Sequence, residues 1–225
     1  MKIVVVGGGM CGLSTGMLLA DDGHDVTVLE RDPAPETRPG AAFGGWERRG
    51  VNQFRLPHFF ASRFRTLLCA ELPRVAEAMR TAGSLEINFL SLIPESVTGG
   101  VTPADADVTT ITGRRPVVES VFAACAEETP SLTVRRGVAV TGLVASTGAN
   151  GAPHVTGVIA ESGESIDADL VIDAGGRRSA LPRWLAELGG PAPEEKLENS
   201  GCCYYGRHCV SRGGGLPALI GPLVQ

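Results

Sequence analysis

The chain has 225 residues, enough for one large domain, or for one domain and part of a second. Hydrophobic residues make up 43%, which supports a substantial core, and the formal net charge of −5 argues against a nucleic-acid partner. No apolar run reaches the roughly 18 residues of a membrane span, no basic run suits a membrane surface, and the expected location is cytoplasmic. Lys2 and the apolar residues after it could imitate a signal peptide, but the central glycines and the acidic pair Asp21-Asp22 fit a folded turn better.

The first thirty-one residues carry the strongest signal. Lys2 to Val6 reads as a strand, Gly7-Gly8-Gly9-Met10-Cys11-Gly12 as a glycine turn, and Leu13 to about Ala20 as a helix. Asp25 to Leu29 reads as a second strand that ends in Glu30. This is the context of the dinucleotide fingerprint as well as its glycines. Gly7 permits the tight turn out of the strand, Gly9 lets backbone approach a pyrophosphate, and Gly12 lets the helix pack on the sheet. The helix N-terminus offers N–H groups and a positive dipole end to phosphates. Glu30 is placed to accept ribose hydroxyls, and its charge disfavours a 2′-phosphate, so NADP suits this position poorly. The small helix face (Gly12, Gly16, Ala20) and the stop at Asp22-Gly23 agree with that reading.

Arg31 to Pro35 reads as a loop, and residues 36–56 as irregular, with Gly40, Gly44, Gly45, Gly50 and Trp46. A helix is expected from near Pro57-His58 through Phe60, Phe64, Leu67 and Leu68, broken or kinked at Pro73. A further helical stretch runs from Arg74 to Arg80 and stops at Gly83. Residues 84–113 are mixed, with turn signals at Pro94, Gly99-Gly100 and Pro103. Pro116 opens a helix that sets Val117, Val118, Val121, Phe122 and Cys125 on one face. Leu132–Val134, Val138–Val144 and Val155–Ala160 alternate apolar and polar residues. With turns at Gly148-Ala149-Asn150-Gly151 and Ser162-Gly163, they read as a β-meander. Ala168 to Asp173 is a buried strand, closed by Ala174-Gly175-Gly176 and followed by a helix from Ser179 to Leu188. If that strand lies parallel to the first, Gly175 and Gly176 fall beside the first glycine turn and offer the same dinucleotide a second surface. From Pro191 a Pro/Glu-rich linker leads to Tyr204-Tyr205-Gly206-Arg207, Gly213-Gly214-Gly215 and an apolar tail.

Cys11, Cys69 and Cys125 are expected to be packed thiols. Cys202, Cys203 and Cys209 lack the spacing of a zinc site, and disulfides are not expected in a cytosolic chain. His24, His58, His154 and His208 are scattered and form no acid–base triad, so no catalytic residue is assigned.

Four stretches resemble the FAD-dependent monooxygenases of the aromatic-hydroxylase type, whose FAD-binding domain is of the glutathione-reductase style. They are VVVGGGMCGLSTGMLLADDGHDVTVLERD, WERRGVNQFRLPH, TGRRPVVESVF and ADLVIDAGGRRSALPRWL, spanning about residues 1–190 in the family's order. The resemblance implies an α/β fold: a three-layer FAD/NAD(P)-binding domain of parallel sheet, helices and β-meander, with the start of a second, substrate domain. It divides the chain into an FAD-binding domain over 1–190, with a helical insertion over about 57–113, and a linker and incomplete substrate domain over 191–225.

By the same resemblance, Gly7, Gly9, Met10, Cys11 and Gly12 would cradle the FAD pyrophosphate and Glu30 would hold the adenosine ribose. Arg31 would flank the adenine, Arg49 would lie near the pyrophosphate, and Arg115 would face the cofactor from the start of its helix. Val140 would meet the adenine through its backbone, and Asp173, Gly175 and Gly176 would form the second contact surface. The implied activity hydroxylates or epoxidises a small organic substrate through a flavin C4a-hydroperoxide, with NAD(P)H as reductant. The same first domain also serves prenyl-chain reductases and halogenases. Lys2 and Lys196 are the only lysines, which weighs against a halogenase. Two departures stand out. Asp173 lies two places earlier than the family's second-motif aspartate, and no Gly-Asp pair follows residue 190. The resemblance therefore implies the N-terminal portion of a longer enzyme, or a fragment that binds FAD without catalysis.

Overall fold

The computed structural model describes residues 1–33, 42–51, 53–56, 58–148, 151–191, 193–196, 198, 201–203, 205–207, 209 and 211–213. The expectations for Ala34, Pro35, Gly40, Pro57, Ala149-Asn150, Tyr204, His208, Gly214 and Gly215 lie outside those residues. The elements, in chain order, are β1 (Lys2–Val6), α1 (Met10–Asp21), β2 (Asp25–Glu30), α2 (Ala42–Gly45), α3 (Ser62–Glu71), α4 (Pro73–Thr81), β3 (Leu85–Asn88), α5 (Glu95–Thr98), β4 (Thr109–Thr112), α6 (Arg115–Glu127), β5 (Leu132–Arg136), β6 (Val140–Thr147), β7 (Pro153–Ala160), β8 (Ser165–Asp167), β9 (Leu170–Asp173) and α7 (Leu181–Glu187). They fall into two compact units: Met1–Asn52 with Glu119–Gly201, and Gln53–Val118 with Cys202–Gln225.

The first unit is built on a parallel sheet of order β5-β2-β1-β9. Parallel strands are covered on both faces, so they read as continuous apolar runs rather than alternating ones. Ile3, Val4 and Val5 of β1 and Val26, Val28 and Leu29 of β2 are all buried accordingly. α1 packs on one face: a Cβ on Gly16 would stand 2.9 Å from Val28 and 3.0 Å from Leu132. On the other face, Val4 and Leu29 join Leu143, Val158, Ala168 and Trp184 in one apolar cluster. This brings the antiparallel sheet β6-β7-β8 and helix α7 onto the parallel sheet. The resulting layers are the three expected, and β9 lies parallel to β1, with Val6 paired to Asp173.

The meander differs from its expected composition. Leu132–Val134 does not belong to it: β5 pairs in parallel with β2, from Val26↔Leu132 to Glu30↔Arg136. The meander's third strand is β8, Ser165–Asp167, which pairs with β7. Alternation shows that one face of a strand is buried but does not name its partner. The helix expected from Leu13 begins three residues earlier, at Met10, with Gly9 at its N-cap.

In the second unit, Leu72 ends α3 and caps α4, and Pro73 is the first residue of α4. Pro73 thus starts a helix rather than kinking one, since its fixed φ and missing N–H cost nothing at the first helical position. Val75, Ala76 and Met79 of α4 and Leu68 of α3 form buried faces. β3 and β4 pair antiparallel inside the stretch read only as mixed. The Thr112 hydroxyl donates to the His58 carbonyl at 2.9 Å and the Thr110 hydroxyl to that of Phe60, tying this segment to β4. α6 begins in this unit and continues into the first. The apolar face expected on it is buried, as are Glu119 and Ser120 beside it.

Candidate functional site

β1 ends where the chain turns at Gly7, with φ of +110°. Gly7 N–H donates to the Leu29 carbonyl at 2.8 Å, and a Cβ there would stand 2.5 Å from the Ala174 carbonyl oxygen. A Cβ on Gly12 would overlap the Gly7 carbonyl. Both positions therefore require glycine for the protein's own packing. Gly9 is different. Its backbone is extended, with φ of −76° and ψ of 179°, and a Cβ built on it meets no described residue within 4 Å. Open space thus lies over the N-terminus of α1. The first intrahelical bond runs from Leu13 N–H to the Gly9 carbonyl, so the amides of Met10, Cys11 and Gly12 precede it. No acidic residue sits in that first turn to offset the positive dipole end.

Glu30 ends β2 and is 4% exposed. Its carboxylate accepts from Gly8 N–H at 2.8 Å, Asp32 N–H at 2.9 Å and Arg48 Nη2 at 2.8 Å. A carboxylate has about four acceptor places, so one remains for a hydroxyl. Arg48 is the centre of a buried cluster. Nε donates to Asp32 Oδ2 at 2.8 Å and Nη1 to Glu119 Oε2 at 2.9 Å, and the guanidinium lies 5.3 Å from the Trp46 ring centroid. Three carboxylates held by one guanidinium away from water make a site of fixed geometry.

Sequence reading missed Gly8, Asp32, Arg48 and Glu119. The buried arginine of the ERRG stretch is Arg48, and Arg49, the residue expected to lie near the pyrophosphate, is exposed. Two adjacent arginines look alike in sequence; the direction of the chain after α2 decides which one turns inward. The signal in the sequence is Glu119, the one charged residue between Pro116 and Ala126 of α6.

The other expected residues distribute as follows. Gly7, Gly9, Met10, Cys11, Gly12 and Glu30 share the C-terminal edge of the parallel sheet with Asp173, Gly175 and Gly176, because β9 adjoins β1. Asp173 Oδ1 accepts Gly175 N–H at 2.9 Å, which fixes that turn. Cys11, expected as a packed thiol, is exposed, whereas Cys125 is buried. A helix residue's facing is set by which stripe packs on the sheet, and here Gly12, Leu13 and Gly16 take that stripe. Arg31 is exposed, and its Nη2 lies 2.6 Å from where a Gly50 Cβ would be. Val140 begins β6, two residues past Val138, whose N–H donates to the Glu30 carbonyl at 3.0 Å. Arg115 belongs to the second unit, where Nη1 lies 3.3 Å from His58 Nε2. Partial burial, aided by the Arg115 charge, holds the His58 imidazole below its ordinary pKa and favours its neutral form.

The layers, the strand order and the glycine turn together define an α/β dinucleotide-binding fold of the kind found in flavoproteins. A family model described as "FAD dependent oxidoreductase" (DAO) matches residues 2–87. The chain is 35% identical over 74 residues to the NAD-dependent dihydropyrimidine dehydrogenase subunit PreT of Escherichia coli K12, covering 33% of this chain and 14% of that protein. It is 27% identical over 221 residues to Protein Rv3254 of Mycobacterium tuberculosis H37Rv, covering 89% of this chain and 43% of that one. Its fold matches PqsL, described as a probable FAD-dependent monooxygenase from Pseudomonas aeruginosa, with a TM-score of 0.57 at 13% identity, covering 83% of this chain and 45% of that one. The chain therefore spans less than half the length of each of these proteins. No described helix is long and apolar enough to cross a membrane.

Proposed function

We propose that this chain is the FAD-holding part of an oxidoreductase of the monooxygenase kind, acting on a small organic substrate with NAD(P)H as reductant. One observation carries the cofactor assignment. Gly7 and Gly12 are glycines because the protein's own atoms require it, whereas Gly9 faces open space at a helix N-terminus. A glycine that no described neighbour demands, at the position where a pyrophosphate approaches in this fold, is explained by a ligand. The monooxygenase assignment draws on the resemblance in four stretches and on the fold shared with PqsL.

The residues present fit FAD. The amides of Met10, Cys11 and Gly12 and the dipole of α1 would offset the pyrophosphate charge. The remaining acceptor place of Glu30 would take a ribose hydroxyl, and Arg48 would keep that carboxylate oriented. Asp173 would hold the Gly175-Gly176 turn so that backbone, not side chain, faces the cofactor. Bound FAD would supply the electron transfer from the nicotinamide and the activation of oxygen, while the protein binds, orients and excludes water.

The test is a visible absorbance spectrum of the purified chain with identification of the released chromophore. Yellow protein that releases FAD supports the assignment. Colourless protein that takes up no added FAD overturns it for this chain. With cofactor present, NAD(P)H-dependent oxygen uptake supports the monooxygenase reading, and NAD(P)H oxidation under anaerobic conditions by an added electron acceptor alone would replace it with a dehydrogenase.

A further inference from the structure

Arg136 is the last residue of β5, paired in register with Glu30 at the end of β2. Its Nε, Nη1 and Nη2 are all buried, and none has a hydrogen-bond partner among the described residues. Its guanidinium lies 6.0 Å from the centroid of the Trp46 ring, the ring that Arg48 also approaches. Burial holds the guanidinium below its ordinary pKa. The Arg48 charge adds to this, while Glu30, Glu127 and Glu119 oppose it. Buried polar groups are paired almost without exception, and an unpaired buried cation is more costly than a neutral group. A protein gains nothing in stability from holding five donors in that state. The arrangement makes sense if an acceptor that is not part of the chain completes it.

The sheet order shows where that acceptor belongs. The glycine turn follows β1, Glu30 ends β2 and Arg136 ends β5, so three adjacent strand ends carry the turn, the ribose acceptor and the orphaned guanidinium. A dinucleotide extended from the turn across β2 brings its adenosine end to β5. The charge around Arg136 selects the kind of acceptor. Arg48 and Arg136 face Glu30, Asp32 and Glu119, which leaves the group net negative and unfavourable to a phosphate. From this geometry we infer that Arg136 donates to an uncharged acceptor of the adenosine moiety, a purine ring nitrogen or a ribose oxygen. The inference rests on the FAD reading above and adds a residue that selects for the adenosine half of the ligand.

The experiment compares the wild-type chain with Arg136→Met, which keeps the bulk against Trp46 and removes the donors. Binding of ADP and of FAD is measured by calorimetry, and the melting temperature is taken on FAD-stripped protein. A hydrogen bond from a charged donor is worth roughly tenfold to a hundredfold in affinity. The expected result is a loss of that size for ADP and FAD by the same factor, with the melting temperature of stripped protein unchanged or raised. An affinity for ADP within about twofold of wild type overturns the inference, as does a loss for FAD that ADP does not share. A fall in the stripped protein's melting temperature with binding intact marks Arg136 as structural and also overturns it. If Arg136→Met fails to fold, Arg136→Gln is measured in its place, and failure of both assigns the residue to the fold and overturns the inference. Wild-type protein that binds neither ADP nor FAD instead overturns the dinucleotide reading itself, and this assignment with it.

Discussion

Arg48 in the first unit and Arg80 in the second hold carboxylates at the same distance in different surroundings. Arg48 contacts Glu30 and Asp32 at 2.8 Å and Glu119 at 2.9 Å, with its side chain 4% exposed. Arg80 contacts Glu86 at 2.8 Å and Glu77 at 3.2 Å, with its side chain 38% exposed. Geometry alone would rank the two nearly equal. Water ranks them far apart: it screens the exposed cluster and replaces any partner that is lost, whereas it can do neither at Arg48. The buried cluster is a commitment of the fold around Glu30. The exposed one decorates α4 and β3.

Removing each centre tests that contrast. Arg48→Ala leaves three carboxylates buried without their cation and should lower unfolding free energy by about 3–5 kcal/mol, read from urea denaturation. A loss below about 1 kcal/mol would show that water reaches the cluster. The next effect in size comes from the glycine turn. Gly12→Ala drives a methyl into the Gly7 carbonyl and should cost about 1–3 kcal/mol or more, because backbone must move. Gly9→Val meets open space and should leave stripped-protein stability within about 0.5 kcal/mol while abolishing retention of FAD. If Gly9→Val kept its flavin, the turn would not be the pyrophosphate cradle.

Arg80→Ala should cost less than about 1 kcal/mol, and adding salt should shrink the difference further. The smallest expected effect is a pH dependence at the same place. Partial burial pushes the Glu86 carboxyl upward, but hydrogen bonds and charges from Arg65 and Arg80 outweigh it and hold the group below its ordinary 4.5. The stabilisation is therefore complete above that value and fades as pH falls through the depressed one. Melting curves across this acid range should differ most between wild type and Arg80→Ala above pH 4.5 and converge as pH falls through the depressed value. Curves that stay parallel would remove Glu86 as the titrating group.

The first strand and turn were legible because their constraints are local. Ile3 to Val6 must be apolar if covered on both faces, and Gly7 must tolerate a positive φ, whatever lies elsewhere. The apolar face of α6 was legible for the same reason. Residues whose roles depend on partners far along the chain were not. Glu119 lies 71 residues from Arg48, and only the packing of α6 brings them to 2.9 Å. Arg48 and Arg49 are chemically identical neighbours, and the tertiary fold alone buries the first. β5 carries the alternation of a meander strand, yet it joins the parallel sheet because β2 offers an open edge after the α6 crossover. Arg136 shows the limit most plainly: in sequence it is one of two arginines at a strand end, and only the structure shows a guanidinium enclosed without an acceptor among the described residues.

The sequence by itself determined the β1-turn-α1-β2 unit and its acidic strand end, since these follow from side-chain size, backbone freedom and periodicity within about thirty residues, while the layered class of fold came from a resemblance spread over four stretches. The tertiary structure decided which charges leave water together, because desolvation is a property of the packed whole and not of any segment.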